Sequence, residues 1–90
     1  MVRIKFTQAL KRFYPDLQTL ELEVNMVSEV IQGIEDRYPG IRSYILDDQG
    51  QVRKHVNIFV DGKMINDREQ LSDSLAANSE VYIMQALSGG

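Results

Sequence analysis

The residues with the most distinctive chemical standing in this sequence are its last two, Gly89 and Gly90, in the stretch "QALSGG" that follows the apolar run "VYIM". Glycine ordinarily serves where the backbone needs positive φ or where another group must come close. At the end of the sequence no turn is left to make, so close approach is the reading that remains. Lacking Cβ atoms, the pair can enter a narrow channel and leave the last carbonyl open to attack. A carboxylate is a poor electrophile until it gains a leaving group. Adenylation by a partner enzyme with ATP supplies one, and a sulfur or amine nucleophile can then displace AMP. The plain alternative is a frayed end that happens to be glycine-rich. At the ~7% glycine of average proteins, two specified terminal glycines arise by chance in about 0.5% of chains, so the pair alone is only suggestive. Four residues beyond Ala86 would reach roughly 13 Å past the last strand.

No other group offers catalytic chemistry. There is no Cys, which removes disulfides, thiolate metal sites and cysteine nucleophiles. The single His55 opens a strand with no second His or Cys to share a metal, and it reads as a surface or edge residue. "DDQGQ" lacks the alternating oxygen ligands and closing Glu of a calcium loop, so Asp47 and Asp48 read as turn formers. Ser28, Ser43, Ser72, Ser74, Ser79 and Ser88 sit in no nucleophile-elbow pattern. The glycines before the final pair are scattered, not gathered into a phosphate loop. The chain is not expected to be an enzyme, to hold a metal or to bind a cofactor; any ATP belongs to the activating partner.

The bulk numbers are those of an ordinary small globular domain. Ninety residues make one domain, which buries about two thirds of its unfolded surface. A net charge of −3 argues against nucleic acid, whose binders carry a basic stripe. The one candidate stripe, "KRFY" at Lys11 to Tyr14, reads as a solvated loop with partly buried rings. No apolar run approaches the ~20 residues of a membrane span, and "MVRIKFTQAL" lacks a signal peptide's apolar centre. A cytoplasmic protein, monomeric when free, is expected.

Several elements must position the closing residues. "VRIKFT" alternates apolar and polar residues as a half-buried strand does, with Val2, Ile4 and Phe6 inward. Gln8 to Asp16 reads as a loop. "TLELEV" alternates again, and two consecutive amphipathic strands suggest an antiparallel pair. The period then changes: Val27, Val30, Ile31, Ile34 and Tyr38 form one stripe of a helix. Asn25 is its expected N-cap, Glu29 favours its positive end, and Pro39-Gly40 stops it near Tyr38. Gly33 costs roughly 1 kcal/mol against Ala inside a helix, which suggests a helix held close to the sheet.

Ile41 to Leu46 fits either a short strand or an irregular packed segment. "HVNIFVDGK" is a strand with Val56, Ile58 and Val60 on one face, closed by the Asp61-Gly62 turn. "KMIN" reads as a very short returning strand. "DREQLSDSL" spaces Leu71 and Leu75 for a turn or two of helix. "EVYIMQAL" closes the domain with Val81 and Ile83 inward. The order β-β-α-β-(β)-β, with a helix of about 13 residues that permits a crossover, gives an α+β fold in which one helix covers a mixed sheet. Residues 1–86 form the domain and 87–90 a tail.

That order, running into Gly-Gly, resembles the β-grasp of ubiquitin-like sulfur carriers of the ThiS/MoaD type. "RIKF", the helix ending in "YPG", "HVNIFVDG" and "VYIMQALSGG" carry the resemblance across the whole chain. Taken together they look most like the CysO-like branch, with archaeal small modifier proteins next. The family often has a proline shortly before its tail, and Gln85 stands at that place here. The resemblance implies that Gly90 is adenylated by a ubiquitin-activating-type enzyme and converted to a thiocarboxylate, with Leu87, Ser88, Gly89 and Gly90 entering that enzyme's active site. It also implies a sulfur-acceptor biosynthetic enzyme: a cysteine synthase, the molybdopterin synthase large subunit or a thiazole synthase.

If Val56, Ile58, Val60, Val81 and Ile83 point inward, then Phe59, Tyr82 and Met84 point outward. Such a cluster beside the tail is a candidate docking patch for the activating enzyme, or else ordinary cross-strand packing. Two other functional classes fit the same residues. One is a ubiquitin-like modifier conjugated through Gly90 to lysines; the other is a β-grasp interaction module that uses only its sheet face.

Overall fold

The computed structural model describes residues 1–85. The expected tail, 87–90, lies outside the described residues. Alternation sets the strands. β1 (Val2–Phe6) buries Val2 and Ile4 and turns Arg3 outward. β2 (Leu20–Leu22) pairs antiparallel with it, matching Val2 to Leu22 and Ile4 to Leu20. β3 (Val56–Val60) buries Val56 and Ile58 completely. β4 (Lys63–Met64) returns through a two-residue turn in which Asp61 has φ 51° and Gly62 φ 85°. Both signs match the tight hairpin turn that Asp-Gly favours. β5 (Glu80–Gln85) buries Val81 and Ile83.

The sheet order is β2-β1-β5-β3-β4. The last strand of the sequence therefore lies in the middle, parallel to β1 and antiparallel to β3. This is the α+β β-grasp arrangement, a mixed five-stranded sheet with one main helix across a face. That helix, α2 (Val27–Arg37), drops Val27, Val30, Ile31 and Ile34 onto Ile4, Ile58 and Ile83. Fully burying one such aliphatic side chain is worth ~1.5–3 kcal/mol. Gly33 lets α2 lie close: a Cβ there would come within 2.6 Å of Leu22 Cδ1 on β2.

Several local expectations need correction. The Gln8 to Asp16 stretch contains a short helix, α1 (Gln8–Lys11), which buries Ala9 and Leu10. The second strand is three residues long, not six, because only Leu20–Leu22 pairs with β1. Met26, not Asn25, caps α2. The Glu29 carboxylate folds back to accept the backbone N–H groups of Asn25 (2.7 Å) and Met26 (3.2 Å), a stronger acceptor than the Asn25 amide. The Ile41 to Leu46 segment is a helical turn, α3 (Arg42–Ile45).

The Leu71–Leu75 spacing makes no helix. Leu71 takes φ 58° and is buried, because Asp67 and Asp73 gather the surrounding N–H groups. Asp67 accepts from Glu69, Gln70 and Ser72, while Asp73 accepts from Asn66 and Asp67. Arg68 closes the same region, donating to the carbonyls of Arg53 and Val56 at 2.8 Å each and to Asn57 Oδ1 at 3.2 Å.

Candidate functional site

The root of the closing segment is held in place by both of β5's neighbours. Gln85 is paired with Val56 of β3, and its N–H donates to the Thr7 hydroxyl at 3.2 Å. The Thr7 N–H in turn donates to the Ile83 carbonyl at 3.2 Å. A central strand gripped on both edges is a firm base for whatever follows it. Gln85 Oε1 is buried and has no hydrogen-bond partner among the described residues. The expected reacting residue, Gly90, and its companions Leu87, Ser88 and Gly89 lie outside the described residues.

The expected surface cluster does come together. Residues buried against α2 alternate with residues on the opposite, uncovered face of the sheet. Tyr82 stands directly opposite Phe59 across β5 and β3, and Met84 stands opposite Asn57 two residues nearer the tail. Phe59, Tyr82 and Met84, with Gly62 and Glu80, line a shallow hollow of about 250 Å³. Met84 is 39% exposed, whereas Phe59 and Tyr82 are half-buried.

Met64, half exposed, extends this face. It pairs with Phe59 from β4, so Lys5, Tyr82, Phe59 and Met64 form one row across four strands. Sequence reasoning did not include Met64, although the two-residue Asp61-Gly62 turn fixes its register opposite Phe59. Around its apolar members Tyr82, Phe59 and Met64 the face is charged: Lys5 reaches Glu80 at 3.5 Å and Arg3 reaches Glu21 at 4.0 Å. An apolar centre with a charged border is the composition of a protein-docking surface.

His55 is exposed just before β3. Among the described residues no three His, Asp or Glu side chains gather as a metal site would need, and no helix is long and apolar enough to cross a membrane. What the arrangement offers chemically is a fixed strand end beside a partly apolar surface.

Comparison with known proteins places this geometry. The family model described as the ThiS family matches residues 4–90, a span that includes Gly89 and Gly90. A chain in the crystal structure of the Amycolatopsis orientalis BexX/CysO complex superposes with a TM-score of 0.83 at 19% identity, covering 100% of both chains. The crystal structure of Mycobacterium tuberculosis CysO gives 0.81 at 21% identity, over 97% of this chain and 100% of that one. The solution structure of small archaeal modifier protein 1 from Methanosarcina acetivorans gives 0.78 at 24% identity, over 99% and 95%. At these identities the structural likenesses establish the fold. A search of curated proteins gives no match.

Proposed function

This chain belongs to the ThiS family of ubiquitin-like sulfur carriers, and we propose that it carries sulfur on the carboxyl group of Gly90. The observation that supports this most is that the family match runs through the closing glycines, which follow a strand fixed at the centre of the sheet. The chemistry is balanced with two co-reactants, ATP and a hydrosulfide-equivalent donor. A Gly90 carboxylate oxygen attacks the α-phosphorus of ATP, forming the acyl adenylate and releasing pyrophosphate. The sulfur nucleophile then adds to the acyl carbon; the C–S bond forms, the C–O bond to AMP breaks, and AMP leaves. No oxidant is required.

This protein supplies the reacting carboxyl group, which attacks ATP and then accepts sulfur at its activated carbon, and no side chain of it serves as acid or base in these steps. Its part is to present the carboxyl on a segment slim enough for an active-site channel, so Leu87, Ser88, Gly89 and Gly90 are the entering residues. Phe59, Tyr82 and Met84 dock the ubiquitin-activating-type adenylating enzyme. The thiocarboxylate passes its sulfur to a biosynthetic acceptor such as a cysteine synthase, a molybdopterin synthase large subunit or a thiazole synthase. The cytoplasm, where ATP is available, is the proposed setting. The test is intact mass after incubation with the activating enzyme, ATP and a sulfur donor. One exchange of oxygen for sulfur at Gly90 is expected, and an unchanged mass with a competent enzyme overturns the reading.

A further inference from the structure

Gln85, the last residue described, is tied by contacts to segments that carry four basic residues. A closed circuit of contacts starts and finishes at Gln85. From Gln85 the N–H donates to Thr7, and α1 follows Thr7 directly. Two residues beyond α1, Phe13 stacks on Tyr44 of α3 with ring centroids 4.6 Å apart. Beside Tyr44, the Ser43 carbonyl accepts from Arg53 Nε at 2.8 Å. Arg53 leads through Lys54 and His55 to Val56, which is the β3 partner of Gln85.

The segments on this circuit, residues 7–13, 43–45, 53–56 and 85, hold Lys11, Arg12, Arg53 and Lys54 and not one of the chain's 13 Asp and Glu residues. Lys11, Arg12, Lys54 and His55 are exposed, and Phe13 is 53% exposed. The two ion pairs among the described residues, Arg3–Glu21 and Lys5–Glu80, lie on other positions, so none of these four bases is neutralised there. Like charges concentrated on one rim of a protein whose net charge is −3 cost self-repulsion, which an opposite charge from outside would relieve.

We propose that this basic rim is a second docking surface, complementary to an acidic protein surface around the channel mouth through which the adenylating partner admits the tail. The inference rests on the sulfur-carrier reading for the identity of that partner. The apolar outer face and the basic rim then divide the work. The former supplies buried contact, while the latter steers approach and orients the tail toward the channel. Phe13, stacked on Tyr44 and half exposed next to Arg12 in the sequence, gives the surface an apolar anchor.

The test compares wild-type protein with the triple variant Lys11→Glu, Arg12→Glu, Lys54→Glu and its neutral counterpart Lys11→Gln, Arg12→Gln, Lys54→Gln. Arg53 is left intact because its guanidinium holds Ser43. Direct binding of each to the adenylating enzyme is measured at low and high salt, with thermal melting as a check of folding. The charge-reversed variant should bind at least about tenfold more weakly at low salt, the neutral one should fall between, and the gap should narrow as salt screens the contact. Equal affinity in a folded variant overturns the proposal, as does wild-type protein that fails to bind the enzyme. Selective loss of binding to a short DNA duplex, with enzyme binding unchanged, overturns it in favour of a nucleic-acid surface. Should wild-type protein bind the enzyme yet never gain sulfur, the carrier reading fails while the rim is still judged by the affinities.

Discussion

Phe59 and Tyr82 stand side by side as registered partners on β3 and β5, on the face of the sheet that α2 leaves uncovered. Met64 flanks Phe59 and Met84 follows Tyr82 toward the tail. Replacing either ring by Ala should raise the activating enzyme's KM for this protein by about tenfold, the loss of ~1.4 kcal/mol of contact, with kcat nearly unchanged. Steady-state kinetics of AMP release decides it. A fall in kcat at constant KM would show that the rings do not serve docking.

Gly33 and Leu22 should be energetically coupled. Gly33→Ala gains about 1 kcal/mol of helix propensity. It also forces the Leu22 methyl away from a 2.6 Å clash at a rotamer cost of ~0.5–1.5 kcal/mol, so the net change should be near zero. In a Leu22→Ala background the gain should appear almost in full. Urea unfolding of the four proteins completes the cycle, and strictly additive changes would show that α2 is not held against β2 at this point.

Arg68 ties the segment before β3 to the loop after β4 through the carbonyls of Arg53 and Val56 and the Asn57 amide oxygen. These bonds use the spread of a planar guanidinium, which an ammonium cannot match. Arg68→Ala should therefore cost about 2–3 kcal/mol, and Arg68→Lys should recover less than half of it. Denaturant midpoints check both. Full recovery by Lys would mean that charge alone matters there.

Asp67 makes folding stability depend on acid. Hydrogen bonds from the Gln70 N–H and the Ser72 hydroxyl, joined by the N–H groups of Glu69 and Ser72, lower its pKa from 3.8 to about 2. The folded-state value lies below the unfolded one, so its stabilising contribution is complete above about pH 4 and is lost as pH falls toward 2. Asp67→Asn should lower the melting temperature at pH 7, and the gap from wild type should close as pH approaches 2. A gap that persists unchanged at low pH would assign the loss to packing.

Much of the fold was legible because its long elements have clean periods. Val2 and Ile4, Val56 and Ile58, and Val81 and Ile83 alternate, while Val27, Val30, Ile31 and Ile34 repeat as a helix does, and each set is buried as its period requires. The short elements were not legible. A single turn such as Gln8–Lys11 or Arg42–Ile45 carries no period to read. Leu71 and Leu75 mimic helical spacing, but the nearby Asp67 and Asp73 side chains compete successfully for the backbone N–H groups.

The outer-face cluster followed from alternation alone, and Met64 was recoverable from the turn. The basic rim was not readable in the same way. "KRFY" and Lys54 lie about 40 residues apart, and their segments are linked by the Gln85–Thr7 hydrogen bond, the Phe13–Tyr44 stack, the Arg53–Ser43 hydrogen bond and the Val56–Gln85 pairing.

The most direct measurement is the intact mass of this protein after reaction with its activating enzyme, ATP and a sulfur donor, run beside a variant lacking Gly90. The wild-type protein should exchange one oxygen for sulfur, with the change mapping to the closing peptide. The shortened variant should melt at nearly the same temperature and gain nothing. Sulfur on the shortened protein, or none on the wild type with an enzyme shown to be active, would contradict the account.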